Sequence, residues 1–288
     1  MSLPAAKENR ALLKKIEDAL RRKKIMSPAV EAEILVRHFS KMSRVELFTG
    51  QKAVSSFQKK QIIQALQKRL SGIPSAYVTG IAGFYGHDFH VNPSVLIPRP
   101  ETELLVEETL RVLPAKNPQI LEIGAGSGCV AVSLTIARPD CRMTALEVSP
   151  EALKTARKNA RFHGVQRRLS LFRSDLFEIF GPKDRSRWDT VVSNPPYVPR
   201  RDFRRLQREV KKEPRLALDG GPQGLDLLEA ILQKAPAYLK PGGFILLEIG
   251  KGQSQALTKI ATTLKCYKNL KFVKDYSGIE RISIMQVK

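Results

Sequence analysis

Gln119-Ile120-Leu121-Glu122-Ile123-Gly124-Ala125-Gly126-Ser127-Gly128-Cys129 carries the strongest fold signal in the chain. The apolar run 119–123 predicts a buried strand, and Cys129–Ala137 predicts a helix. The glycines between them open backbone conformations that other residues avoid and let the main chain approach a ligand closely. From Pro118 onward the same alternation continues. Further strands are expected at Met143–Val148, Leu169–Arg173, Asp189–Ser193, Phe244–Ile249, Lys271–Lys274 and Arg281–Gln286, and further helices at Pro150–His163, Gly224–Tyr238 and Gln253–Leu264. Strands alternating with helices argue an α/β fold with a mostly parallel sheet covered on both faces. The last two strands, with Tyr276-Ser277-Gly278 between them, suit an antiparallel hairpin at the sheet edge, and Pro241-Gly242-Gly243 is expected as the turn feeding the strand before them.

The glycine spacing is Gly-x-Gly-x-Gly, and Cys129 stands where a dinucleotide fingerprint has its third glycine, which disfavours a nicotinamide or flavin cofactor. The second strand ends in Glu147, 23 residues after Gly124, where a carboxylate can accept from ribose hydroxyls. Asp175, just after the third strand, is placed to take an adenine amine. Acids at successive strand ends, with no basic residue in the loop, suit a nucleoside whose other end is cationic or uncharged and suit a pyrophosphate poorly. S-adenosylmethionine has that character.

The fourth strand runs into Asn194-Pro195-Pro196-Tyr197. Neither proline can donate to a ladder, and each restricts the residue before it to extended backbone. The turn therefore offers carbonyl oxygens and the Asn194 side chain beside a flat tyrosine ring. Such an acceptor cluster suits a planar group bearing N–H, either an amide or a nucleobase amine.

Before the sheet, amphipathic patterns at 7–24, 28–41, a short piece from Ser43, and 56–70 read as a small helical bundle, with Ser27-Pro28 as the N-cap and first turn of its second helix. Tyr77 to Leu96 changes to glycines, aromatics and alternation, which suits a β-hairpin. The expected division is a bundle at 1–78, a hairpin linker at 79–97 and a cofactor domain at 98–288. No apolar run approaches the ~20 residues of a membrane span. Met1 to Lys24 lacks an apolar signal region, and a cytoplasmic location is expected. Cys129, Cys141 and Cys266 show neither paired nor metal-ligand spacing, so reduced thiols and no metal are expected. The 49 Lys+Arg against 28 Asp+Glu give a net charge of +21. By segment this is about +10 over 1–100, −3 over 101–150 and +14 over 151–288. The excess implies acidic partners or a nucleic-acid-rich neighbourhood, although a basic proteome in the source lineage would produce it too.

The chain resembles the HemK/PrmC family, the S-adenosylmethionine-dependent methyltransferases that act on glutamine N5 of peptide chain release factors. The residues carrying the resemblance are the Tyr77–Gly83 approach, Val95-Leu96-Ile97-Pro98-Arg99-Pro100-Glu101-Thr102-Glu103, the glycine loop, the Asn-Pro-Pro-Tyr turn and Glu213-Pro214-Arg215-Leu216-Ala217-Leu218-Asp219-Gly220-Gly221. Asn-Pro-Pro-Tyr is shared with amino methyltransferases of DNA and RNA, whereas the Ile97–Glu103 string is more specific to the release-factor branch. The resemblance implies a Rossmann-like sheet with an antiparallel last strand, preceded by a helical bundle that recognises the release factor; separately, a monomer is expected. It implies that Gly124, Ala125, Gly126, Ser127 and Gly128 hold the methionine end of S-adenosylmethionine, that Glu147 binds the ribose, and that Asp175 and Leu176 border the adenine. Asn194 and the Pro195 carbonyl would hold the substrate amide, and Asn194 also borders the cofactor. Pro196 and Tyr197 would pack beside that amide, with Asn194, Pro195 and Tyr197 as the catalytic set. Two of the strand-end acids, Glu122 and Glu147, are glutamates where the family commonly has aspartate. An adenine- or guanine-amino methyltransferase acting on RNA or DNA is the alternative, encouraged by the charge and by the basic run Arg200–Lys212, which reads as a solvated helix face or a lid. A non-catalytic cofactor-binding or assembly protein is a third, disfavoured by the complete acceptor turn.

Overall fold

Apolar residues on both sides of almost every central strand dictate a sheet buried on both faces. In the computed structural model, which describes residues 4–288, that sheet has seven strands. The chain divides into two compact units, Met1–Gly80 with Arg208–Lys212, and Ile81–Gln207 with Glu213–Lys288. Residues 1–3 of the expected bundle region lie outside the described residues.

The first unit contains α1 (Pro4–Arg22), α2 (Pro28–Ser40), α3 (Arg44–Thr49), α4 (Ser56–Leu70) and a short α5 (Ser75–Thr79). Ile16, Leu20, Leu35, Val36, Leu47 and Ile62 form its buried core. Asn9 is buried and donates to the carbonyls of Leu47 and Lys52 while accepting from Val54 N–H, which ties the loop after α3 to α1. Ser43 and Ser55 cap α3 and α4 with full capping boxes. Ser27 differs from expectation: it precedes Pro28 with left-handed backbone (φ 49°) and makes no side-chain cap, so proline alone sets the start of α2. The α5 turn was not expected, because Gly72-Ile73-Pro74 marks only the end of α4. Arg69 is buried and pairs with Glu31 at 2.9 Å and with Glu209 at 3.0 Å, which fastens residues 208–212 to the bundle.

The second unit begins with a hairpin of β1 (Ile81–Phe84) and β2 (His87–His90), turned by Tyr85 and Gly86 with φ of 50° and 75°. Then follow α6 (Pro100–Val112), β3 (Gln119–Ile123), α7 (Cys129–Ala137), β4 (Arg142–Glu147), α8 (Pro150–Phe162), β5 (Leu169–Arg173), β6 (Trp188–Ser193), α9 (Asp226–Lys234), β7 (Leu239–Glu248), α10 (Ser254–Leu264), β8 (Tyr267–Lys274) and β9 (Glu280–Val287). The strand order is β5-β4-β3-β6-β7-β9-β8, with β9 antiparallel to both neighbours and the other pairs parallel. The hairpin, α6, α7 and α8 cover one face through Phe84, Phe89, Leu105, Val130, Leu134 and Ala160. The other face is covered by α9 and α10 through Leu228, Ile231, Leu232 and Leu257.

Three expectations are corrected. Pro241-Gly242-Gly243 lies inside β7 and is not a turn before it. Between the pairs Trp188–Leu239 and Thr190–Phe244, β7 advances from 239 to 244 while β6 advances only from 188 to 190. The strand bulges there, and a Cβ on Gly243 would stand 2.9 Å from the Asp189 carbonyl. The expected helix Gly224–Tyr238 is shorter, because Gly224 is left-handed and Pro236 converts its end to a 3-10 turn. Arg200–Lys212 forms no α-helix: it folds as 3-10 turns at Arg200–Arg205 and Val210–Lys212.

Candidate active site

The chain reverses its direction of travel across the sheet between β3 and β6, and ligands of open α/β sheets bind outside the strand ends at such a switch point. Register places Ile123 opposite Ser193, so the glycine loop and the Asn-Pro-Pro-Tyr turn leave the sheet side by side. Ser193 Oγ donates to the Ile123 carbonyl at 2.6 Å and locks the two strand ends together. A cavity of about 360 Å³ opens here. Its lining includes Gly124, Ala125, Gly126, Ser127, Glu147, Asp175, Leu176, Asn194, Pro195 and Pro196. Of the residues singled out from sequence, Gly128 and Tyr197 are not in the lining.

The wall at the end of β3 is largely backbone. Gly124, Gly126 and Gly128 have φ of 79°, 56° and 81°. A Cβ at Gly124 or Gly126 would meet nothing within 4 Å, so the open space above the loop belongs to the cavity. Gly128 serves a different purpose: its Cβ would press on Ala156 at 3.2 Å, and its absence lets α7 and α8 pack closely. Glu147 accepts from Gly126 N–H at 2.7 Å and from Ser149 N–H at 2.9 Å, which fixes the loop to the end of β4. Leu176 holds φ at 46°, rarely adopted by a side-chain-bearing residue, and Ser174 Oγ donates to its carbonyl at 3.0 Å. That kink brings Asp175, which is exposed, to the rim.

Glu122 is 2% exposed, and among the described residues its Oε2 has no hydrogen-bond partner. Burial, reinforced by the nearby Glu147 carboxylate, pushes its pKa well up. The same burial, with Glu122 beside it, pushes the Cys129 thiol up to about 12 and makes it a poor nucleophile.

The turn is held by side chains from distant segments. Asn194 Nδ2 donates to Thr102 Oγ1 at 3.0 Å, and Thr102 donates to Glu248 Oε2 at 2.6 Å. Tyr197 donates its hydroxyl to Glu248 Oε1 at 3.2 Å, and burial together with Glu248 keeps that phenol protonated. Behind the turn, Gln253 Nε2 donates to the carbonyls of Tyr197 (3.2 Å) and Gly224 (2.8 Å). Gly220 and Gly224 press against it as well: a Cβ on Gly224 would stand 2.3 Å from the Tyr197 carbonyl. Glu213 accepts from Ile97 N–H at 3.1 Å and pairs with Arg99, joining the Ile97–Glu103 string to the Glu213–Gly221 string. Glu103 reaches the other way and accepts from Tyr85 N–H at 2.8 Å.

Thr102, Glu248 and Gln253 are the site residues that sequence reasoning passed over. One signal was available. Leu247-Glu248-Ile249-Gly250 repeats Leu121-Glu122-Ile123-Gly124 residue for residue, so a second buried carboxylate at a strand end could have been marked from the repeat alone.

The likeness to known proteins covers the same elements. Residues 100–277 match the family model "Methyltransferase small domain", and residues 11–80 match "PrmC N-terminal domain". The release factor glutamine methyltransferase of Aquifex aeolicus is 37% identical over 278 residues, covering 96% of this chain and 94% of that protein. The Geobacter sulfurreducens protein of the same name is 43% identical over 221 residues, covering 75% of this chain and 74% of its own. Among solved structures, a methyltransferase from Pyrococcus furiosus (TM-score 0.53, 20% identity, 81% of this chain and 99% of that one) shares the fold. So does human methyltransferase 10 domain containing protein (TM-score 0.53, 14% identity, 71% and 89%). With relatives aligned over nearly its whole length and both of its regions matched, the chain belongs to the release factor glutamine methyltransferase family.

Proposed function

We propose that the protein transfers a methyl group from S-adenosylmethionine to the side-chain amide nitrogen of the glutamine in the Gly-Gly-Gln motif of peptide chain release factors. The observation that carries the chemistry is the orientation of Asn194: its Nδ2 is committed to Thr102, which leaves Oδ1 as the acceptor end of the amide, and Asn194 and Pro195 both line the cavity. The substrate assignment rests on the relatives' shared name and their coverage of the chain.

The cavity wall fits the cofactor. Glu122 and Glu147 both line the cavity, and burial with Glu147 beside it raises the Glu122 pKa; a cationic amine or sulfonium bound there would favour the ionised form and pair with it, whereas a phosphate would meet only acids. Gly124 to Gly128 supply close backbone approach, and Glu147, Asp175 and Leu176 line the nucleoside side. When bound, S-adenosylmethionine supplies an activated methyl group for in-line displacement.

An amide nitrogen is a weak nucleophile because its lone pair is delocalised into the carbonyl. Asn194 Oδ1 and the Pro195 carbonyl would accept its hydrogens, pointing the lone pair at the cofactor side and stabilising positive charge as it develops on nitrogen. Orientation and electrostatic preorganisation of this kind contribute several kcal/mol. Pro195 and Pro196 add no competing backbone donors, and Tyr197, half-buried, stiffens the turn by packing against the apolar core.

Incubation with radiolabelled S-adenosylmethionine and either release factor or total RNA tests the assignment. The expected result is label on the release factor, with a one-methyl mass increase on its Gly-Gly-Gln peptide. Label on RNA alone would establish the nucleic-acid amino methyltransferase in its place, and label on neither would leave only a cofactor-binding role.

A further inference from the structure

We infer that Thr102 and Glu248 are positioning residues for Asn194: they fix which end of its side-chain amide faces the cavity, through the direction of a hydrogen-bond chain. The inference rests on the role proposed above for Asn194 Oδ1. An ionised carboxylate has no proton to give, so both of its neighbours must donate to it, Thr102 at 2.6 Å and Tyr197 at 3.2 Å. A hydroxyl has one proton. With that proton committed to Glu248, Thr102 Oγ1 can only accept, and the group it accepts from is the Asn194 amide nitrogen at 3.0 Å. The amide plane is thereby set with Oδ1 toward the cavity.

Protonation of Glu248 reverses the logic. A carboxyl that carries its proton on Oε2 donates to Thr102, whose own proton is released toward Asn194. The amide then satisfies itself by turning Oδ1 to Thr102 and its NH₂ to the cavity. A substrate amide would meet donors where it needs acceptors. Because Glu248 is 1% exposed, neither partner can be replaced by bulk water.

The surroundings bring this switch close to neutrality. Burial lifts the Glu248 pKa to about 7. Hydrogen bonds from Thr102 and Tyr197 and the Arg281 guanidinium on β9 oppose the rise, and Glu101 in the first turn of α6 adds to it. Cys129 on α7 also faces it electrostatically, and Arg99 acts on the Tyr197 end of the chain. Arg281 is itself held by Asp275 at 2.9 Å, so it is not free to turn to Glu248 as a direct partner.

Two readouts test the inference. In ¹⁵N-labelled protein, the Asn194 side-chain NH₂ resonances, assigned by their loss in Asn194→Asp, should shift with pH through neutrality in the wild type. They should not titrate in Glu248→Gln, and in Thr102→Val they should lose the hydrogen-bonded shift that Thr102→Ser retains. In turnover with release factor, Glu248→Gln should lower kcat about tenfold above neutral pH with KM for S-adenosylmethionine unchanged. Its kcat–pH profile should be flat where the wild type's rises. Thr102→Val should show the same kcat loss, and Thr102→Ser should recover it. Asn194 resonances that titrate alike in Glu248→Gln and wild type, or a variant kcat–pH slope equal to the wild type's, would overturn the positioning role. If the wild type does not methylate release factor, the function proposed above fails, while the resonance titration still decides whether Glu248 and Thr102 orient Asn194.

Discussion

Leu121-Glu122-Ile123-Gly124 and Leu247-Glu248-Ile249-Gly250 are the same four residues at the ends of two parallel strands, β3 and β7, with β6 between them. Both glutamates are buried, at 2% and 1% exposure, yet they differ in what surrounds them. Glu122 is followed by a glycine loop, and although it lines the cavity, one of its oxygens has no hydrogen-bond partner among the described residues. Glu248 is followed by Lys251-Gly252-Gln253, and its oxygens are both taken by hydroxyls of Thr102 and Tyr197. One acid keeps an oxygen that no described side chain or backbone group pairs, and the other has both oxygens paired. The role of a buried acid is thus set by which donors the fold delivers to it, and the tetrapeptide decides only that an acid is there.

The largest effect expected from breaking this arrangement lies at the residue the Glu248 end serves. Asn194→Ala removes the oriented acceptor, and turnover should fall by about 10³-fold, as for loss of a preorganised transition-state partner. Calorimetric affinity for S-adenosylmethionine should stay within a fewfold of the wild type. Equal turnover in the variant would show that the turn holds its substrate by other means.

Next in size is the pH dependence of stability. Glu248 has a folded pKa of about 7 against an ordinary 4.5, so between those values the native state binds more protons than the unfolded chain. Stability should therefore fall as pH rises from about 4.5 to about 7, by up to roughly 3 kcal/mol from this one group. Glu122, raised in the same direction, adds a slope of the same sign. Denaturant unfolding of cofactor-free protein should show the decline, shallower in Glu248→Gln and shallower again when Glu122→Gln is added. A slope identical in wild type and Glu248→Gln would place the ionisation of Glu248 outside the folding equilibrium. Cofactor should offset the Glu122 share of the slope and leave the Glu248 share, which separates the two ends by their ligands.

The contrast also explains what could be read from the chain alone. The glycine loop is local: strand, turn and helix lie within 119–137, and Glu147 follows at a fixed interval on the next strand, so pattern and spacing were enough to place both at the strand ends that line the cavity. The Asn-Pro-Pro-Tyr turn was legible as a rigid strand-ending turn because proline chemistry is local too. Its supports were not, since Thr102, Glu248 and Gln253 stand 92, 54 and 59 positions from Asn194 (194 − 102, 248 − 194, 253 − 194) and meet it only after the sheet has formed. Thr102 sits inside a string that signalled the family, but that string does not say which partner its hydroxyl will find. The misread elements have the same origin. Pro241-Gly242-Gly243 is turn chemistry used as a bulge, which depends on pairing with β6, and the basic run Arg200–Lys212 carries helix-like spacing over 3-10 turns.

The smallest expected effects separate the last residues of the two tetrapeptides. Gly124 needs its glycine for backbone: φ is 79°, and a Cβ would meet nothing within 4 Å. Gly124→Ala should therefore cost about 1–2 kcal/mol of left-handed strain and leave the Asn194 network undisturbed. Gly250 has no positive φ but no room: a Cβ would lie 3.0 Å from the Tyr197 ring and 3.1 Å from Gln253 Oε1, the atom that accepts Gly250 N–H. Gly250→Ala should cost about 1 kcal/mol by displacing that ring. Its mark should instead be on chemistry, a loss of kcat that Gly124→Ala does not share, because the ring it moves carries the hydroxyl bonded to Glu248. Gly124→Ala, whose new methyl enters the cofactor side of the cavity, should raise KM for S-adenosylmethionine. Chemical denaturation paired with steady-state kinetics of the two variants reads both quantities. If the same kinetic constant moved in both, the two strand ends would not be divided between cofactor and acceptor as their neighbours imply.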